Sequence, residues 1–301
     1  MTKKIFLFLL CSAMYTIANA QDDSMEEMID SSNVQAPKKA PIKVFTATRI
    51  INGNSVANLD AGVLDFRISH RFGKLSEGSQ NFYGLDDATT RVGLDYGITK
   101  WLMVGIGHSV LNKEDDGFMK IALLRQRPRM PVSLSYGGEI SEQMTPAPTL
   151  PAGDKWLLDY RLYYTNQLLI ARKFTDWLSL QLMPTIVHYN LVDSAKFSNN
   201  TIAIGIGGRI KITKLLSVTG EYYYRLTNAT LLYDGLPTYN ALSLGFEIES
   251  GGHVFQMVLT NSQGLTGRSF IGQTTDNWAK GQLHFGFNIS RVFRIIKPKD
   301  G

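Results

Sequence analysis

Charged side chains of both signs recur at every second position along this chain, and they are the residues best placed to do chemistry. Asp65, Arg67 and Arg71 open the series. Arg91 and Asp95 follow, then Asp159 and Arg161, Arg209 and Lys211, Glu221 and Arg225, and Glu247 and Glu249. Fixed charges held on one wall can act as a selectivity ring for a passing solute. They can equally pair across neighbouring strands and seal the space they face. Both readings stay open at the level of sequence.

Catalysis has weaker support. The histidines are His70, His108, His188, His253 and His284. A hydrolase of lipid or lipopolysaccharide needs a histidine within reach of a nucleophilic serine. Ser69 beside His70, and Ser109 beside His108, are neighbours whose side chains point to opposite faces of a strand. Glycines at 105 and 107, and at 205, 207 and 208, do not complete G-x-G-x-x-G, because Ile210 holds the third glycine position. The H-E-x-x-H, G-x-S-x-G and Walker patterns are absent. No catalytic residue, metal ligand or cofactor is assigned.

The elements that must position the charges are strands. In residues 62–72, GVLDFRISHRF, Leu64, Phe66, Ile68 and Phe72 share one face, and Asp65, Arg67, Ser69 and Arg71 share the other. Residues 202–212 are the clearest copy, with Ile202, Ile204, Ile206, Ile210 and Ile212 opposite Gly205, Gly207, Arg209 and Lys211. In residues 118–126, Met119, Ile121 and Leu123 are expected outward, with Lys120 and Gln126 inward. Residues 156–170 are read as one strand that turns Asp159, Arg161 and Gln167 inward. Pro184 lies inside residues 178–188 and predicts a bulge or break, because proline donates no ladder hydrogen bond.

About twelve such segments follow one another. Their connections alternate long and short, with long ones expected at 73–88, 112–117, 141–155, 190–200, 227–239 and 261–280. Asp86-Asp87 and Glu114-Asp115-Asp116 fall in these long connections, where solvation or divalent-cation bridging to lipopolysaccharide is expected. Tyr96, Trp101, Trp156, Trp177, Trp278 and Phe293 gather near strand ends, as interfacial aromatics do. The charged face is also rich in glycine, which suits a lumen crowded by long side chains. These features predict an all-β fold, an antiparallel transmembrane β-barrel of about 12 strands. A soluble secreted all-β binding protein is the alternative.

The ends of the chain fit that reading. Lys3 and Lys4, an apolar run and Ala18-Asn19-Ala20 make a cleavable secretory leader over residues 1–20, with cleavage after Ala20. Cys11, in the leader, is the only cysteine, so the mature chain would have no disulfide or thiol chemistry. Residues 21–44 form an acidic, then Pro/Lys-rich lead. Residues 45–60 are too apolar for a linker and are expected to order at the barrel mouth, with Arg49 near Asp95 or Glu247. The barrel would occupy 61–296 and a tail 297–301. The formal charge of +5 is spread without a basic cluster, which argues against nucleic acid.

Several motifs resemble a known family: TRIING (48–53), ISHRFG (68–73), YGLDDA (83–88), YGIT (96–99), VGIGHS (104–109) and LLRQ (123–126). They are similar to the membrane-bound β-barrel domain family of unknown function from Gram-negative outer membranes. The resemblance implies an outer-membrane location and a barrel, and brings no catalytic residues. The expected partners are outer-membrane lipid and lipopolysaccharide, the barrel-assembly machinery and a small solute. Assembly signals usually end on an aromatic, but here RIIKPKDG follows Phe293, so either the signal reads internally through Phe285, Phe287, Ile289 and Phe293 or assembly relies on something else.

Overall fold

A period of two leaves each strand one apolar and one polar face, and closing the sheet on itself satisfies every backbone edge. That is what the chain does. The computed structural model describes residues 40–144, 157–192, 198–226, 232–233 and 236–296. The leader with its Ala20 cleavage, the lead as far as residue 39, the tail and Trp156 lie outside the described residues.

Twelve strands form a closed antiparallel barrel. They are β1 (Val63–Lys74), β2 (Ala88–Gly97), β3 (Leu102–Ser109), β4 (Glu114–Leu124), β5 (Ser133–Gln143) and β6 (Leu162–Lys173). The second half is β7 (Leu178–Tyr189), β8 (Asn200–Lys211), β9 (Leu216–Arg225), β10 (Leu242–Ser250), β11 (His253–Thr260) and β12 (His284–Arg294). Each strand pairs with its sequence neighbours, and β1 closes on β12 with Ile68 opposite Ile289. Strands of about 9–11 tilted residues suffice to cross a bilayer.

The outer face is apolar. Ile106 is 64% exposed and Ile206 56%. Phe246, Met257 and Leu244 are likewise exposed, as are Trp101, Trp177 and Trp278 near the strand ends. The interior is the reverse, a mixture of buried charge and a small apolar core. That core joins Phe45, Ile50, Ile51 and Val56 to Met183, Tyr223, Phe270 and Ile271.

Two expectations need correction, and a third is met. The β3–β4 connection is only residues 110–113, because β4 begins at Glu114. Glu114 and Asp116 are therefore in a strand and buried, not in a solvated loop. The cause is their phase, since Glu114, Asp116, Phe118 and Lys120 are successive inward positions. Second, β6 begins at Leu162, and residues 158–161 form a 3-10 turn with Asp159 exposed. At Pro184 the expected interruption takes the form of a break rather than a bulge. β7 pairs with β8 through Pro184 opposite Ile204. Toward β6 the ladder skips Met183 and Pro184 and resumes in the same register at Leu182.

Candidate functional site

The inward face is not an empty pore. Residues 44–59 enter from the end with short turns and fold there as a hairpin. Its bridge joins Arg49 to Asn54, and Ser55 N donates to Thr48 O at 3.0 Å. The tip, Ile51–Gly53, reaches mid-barrel, deeper than the mouth where the segment was expected. Burial explains the depth: Ile50 and Ile51 are each 1% exposed, so both leave water completely.

The wall holds this hairpin largely through polar groups. Glu221 accepts from the backbone N–H of Asn52 at 2.8 Å, Gly53 at 3.0 Å and Ile51 at 3.3 Å. Arg71 Nη2 donates to Asn52 Oδ1 at 2.7 Å. Asn288 donates to Ile51 O and Gln256 to Ile50 O. Lys120 Nζ donates to Thr48 O and Ser55 O, both at 2.9 Å. Arg67 donates to Thr48 Oγ1 and Gln181 to Asn54 O. Lumen glycines make the room. A Cβ on Gly207 would lie 2.5 Å from Ile50 Cδ1, and one on Gly53 would lie 2.1 Å from Tyr223 Oη.

The other half of the lumen is filled by the long connection 261–283, which re-enters the barrel. Its short helix α1 (Gly267–Gly272) is wholly buried and is capped by Thr266, whose side chain accepts from Ser269 N. Arg268 meets Glu114 with Nε–Oε1 at 3.2 Å, both side chains 0% exposed, and it lies 3.9 Å over the Tyr163 ring. Burial would lower the Arg268 pKa, but Glu114 outweighs it and the net shift is upward. Ser269 Oγ donates to Glu114 and Gly267 N donates to Glu139, both at 2.8 Å. Hairpin and helix meet at Tyr223, where Phe270 stacks edge-on at 5.2 Å.

The charges singled out from the sequence divide by depth. Asp65, Arg67, Arg71, Arg91, Asp95, Glu221 and Glu247 are buried. Asp65 pairs with Arg67 at 3.1 Å, and Arg91 grips Asp116 through two nitrogens. Arg209 bridges Glu247 at 2.8 Å and also Glu249, half-buried near the short-turn end. Arg225 is half-buried and donates to Thr238. Arg161 pairs with Glu142 at 3.0 Å toward the long-loop rim. Asp159 and Lys211 do not belong with them. Asp159 sits on the turn before β6, and Lys211 ends β8 in solvent.

Arg49 takes neither expected partner at bonding distance. It donates to Asn52 O and lies 5.0 Å over the Phe118 ring. Its pKa is lowered, by burial first and by the nearby Arg91 second. Both Asp95 oxygens lack a hydrogen-bond partner among the described residues. The residues missed from sequence are Glu114, Asp116, Glu139 and Arg268. The first three carry the alternation that would have found them.

The histidines are dispersed. His70 stacks on Phe287 while its neighbour Ser69 is buried inside. His108 contacts Asp115, and His188 contacts Asn200. His284 is buried, with Nδ1 at 2.9 Å from Phe72 O and Nε2 at 2.9 Å from Asp276. Among the described residues, no three His, Cys, Asp or Glu side chains group as a metal site.

Comparison with known proteins places the chain. No curated protein matches it significantly. Among solved structures, NanC porin aligns at a TM-score of 0.48 with 9% identity, over 77% of this chain and 100% of that one. KdgM porin aligns at 0.44 with 9% identity, over 77% and 99%. Outer membrane phospholipase A from Escherichia coli aligns at 0.42 with 8% identity, over 78% and 91%. A family model matches residues 45–293, from the start of the hairpin to the end of the barrel, and the chain belongs to that family, described as Membrane bound beta barrel domain (DUF5777).

Proposed function

We propose that this membrane barrel is a non-enzymatic outer-membrane passage for a small solute, closed at rest by two internal plugs. In this reading the long connections face the cell exterior and the hairpin enters from the periplasm. Lipid and lipopolysaccharide surround the apolar belt, and the barrel-assembly machinery inserts the chain.

The observation that carries the proposal is the polarity of the hairpin–wall contact. A permanent filler is best made apolar, because burying polar groups adds little net stability. Here Glu221, Arg71, Asn288, Gln256, Lys120 and Gln181 bind the hairpin largely by its backbone. The bonds from Asn288, Gln256 and Gln181 contribute about 0.5–1.5 kcal/mol net each and those of the charged Glu221, Arg71 and Lys120 about 1.5–3, because water replaces part of each bond when the partners separate. Such an interface can open without stranding its donors.

A sealed structural barrel is the second reading, favoured by the fully buried Arg268–Glu114 pair and by Phe270 and Ile271. Single-channel recording separates the two. The intact chain should give a closed baseline with rare discrete openings. Openings should become more frequent in Glu221→Ala and in Arg268→Gln, and most frequent in the double variant. Silence from the double variant, with folding verified by heat-modifiable electrophoretic mobility, would refute the passage. An outer-membrane enzyme acting on lipid would instead release fatty acid from vesicles containing the intact chain.

A further inference from the structure

The re-entrant connection does more than fill the lumen. Between it and the β3–β4 turn lies a partly enclosed cavity of about 100 Å³. One water occupies about 30 Å³ of liquid volume, so the space is too large for one solvent molecule and smaller than the ~300 Å³ at which drug-sized sites begin.

Its lining is amide and hydroxyl. Asn112, Gln263, Gln273 and Thr275 border the space, with Leu111 as an aliphatic patch. Gln273 Oε1 is buried without a hydrogen-bond partner among the described residues. Asn112 and Lys113 hold φ of 60° and 46°. These left-handed residues carry the chain round the short turn from β3 to β4. No lysine or arginine lines the cavity among the described residues. The one carboxylate, Asp276, is already engaged by Lys74 at 3.2 Å and His284 at 2.9 Å.

We infer that this cavity binds one small uncharged polyhydroxyl molecule, a neutral monosaccharide or cyclitol. Amides offer both donors and acceptors, which match hydroxyl groups that do the same. A carboxylated sugar would bury its charge with no free cation to meet it, and an amino sugar would find its only carboxylate taken. The unpartnered Gln273 Oε1 would accept a ligand hydroxyl. The cavity wall includes Ser269 of α1, so the occupant touches the helix that closes the lumen. The inference deepens the passage reading by naming the solute class, and it rests on that reading only for what binding accomplishes.

The test uses the full chain refolded in a detergent free of sugar, with D-glucose, myo-inositol, D-glucuronate and D-glucosamine as separate probes. Saturation-transfer NMR should show contact with glucose or inositol. That signal should fall at least tenfold in Gln273→Leu and in Thr275→Val, with the second variant covering any misfolding of the first. No signal from either neutral probe, a stronger signal from a charged one, or neutral-probe signals unchanged in both variants would each overturn the site. Channel openings in a protein that binds no neutral probe refute this site alone. Binding without openings from the double variant refutes the passage alone.

Discussion

Replacing Glu221 by alanine should loosen the hairpin without unfolding the barrel. Its carboxylate accepts two well-formed hydrogen bonds, from Asn52 N at 2.8 Å and Gly53 N at 3.0 Å, and a long one from Ile51 N at 3.3 Å. Hydrogen bonds to a charged group contribute about 1.5–3 kcal/mol each, so the two good ones set a range of about 3–6 kcal/mol. Water entering the space left by the side chain rehydrates the freed N–H groups, which favours the lower end. A cost of about 3 kcal/mol is slightly more than two powers of ten in an equilibrium constant. Hydrogen exchange by NMR in micelles reads this directly. The amides of Ile51, Asn52 and Gly53 should exchange about a hundredfold faster in Glu221→Ala. Wall amides such as Ile204, paired with Tyr224 on β9, should keep their rates. Unchanged exchange at the hairpin tip would refute the claim that Glu221 holds it. Equal acceleration throughout the barrel would show that Glu221 supports the wall instead.

Four further outcomes follow from the same geometry. Ile206→Arg places a charge on the lipid face of β8 and should cost about 2–4 kcal/mol if it lies at the bilayer midplane, measured by urea titration in vesicles. Gly205→Ala sets a Cβ 2.5 Å from the ring of the fully buried Tyr223; overpacking of this kind costs about 1–3 kcal/mol in the same titration. Gly117→Ala meets nothing nearer than 3.8 Å and should be close to neutral. The Asp276 carboxyl is pushed upward by burial, but His284 and Lys74 outweigh this and hold it below its usual value. Its contribution is therefore complete above about pH 4, and it disappears as pH falls through the lowered value. Amide exchange in residues 261–276 should rise only in that acid range, and Asp276→Asn should remove the dependence.

The wall was legible because a strand's period of two survives in the sequence wherever one face meets lipid. Ile202, Ile204 and Ile206 announced β8, and Gly205 and Gly207 announced a crowded lumen. Reading failed where that alternation was extended too far or cut too short. Leu158, Tyr160 and Leu162 alternate with Asp159 and Arg161, yet residues 158–161 form a 3-10 turn. Glu114 and Asp116 looked like loop acids, because a cluster of three charges resembles a solvated turn. Their inward phase shows only when they are read together with Phe118 and Lys120. The re-entrant helix left almost no periodic trace. Six residues at α1 are too few to set a helical stripe, and the single hint was Phe270-Ile271, an apolar pair inside a polar connection.

The hairpin also bears on how the barrel is assembled. Arg67 grips Thr48 and Arg71 grips Asn52 at a separation of 19 residues, whereas Glu221 lies 169 residues from Asn52. Loop-closure entropy makes the distant contact about 2 kcal/mol harder to form, so we expect the hairpin to dock on β1 before β9 arrives. Pulse-labelled exchange during refolding should protect the bridge between Arg49 and Asn54 first, and simultaneous protection of every strand would remove this order. Asn288 of β12 binds both Arg71 and Ile51 O, which ties the hairpin across the seam where the sheet finally joins. The segment that blocks the finished lumen would thus serve earlier as a mandrel, setting the girth on which the last pair of strands must close.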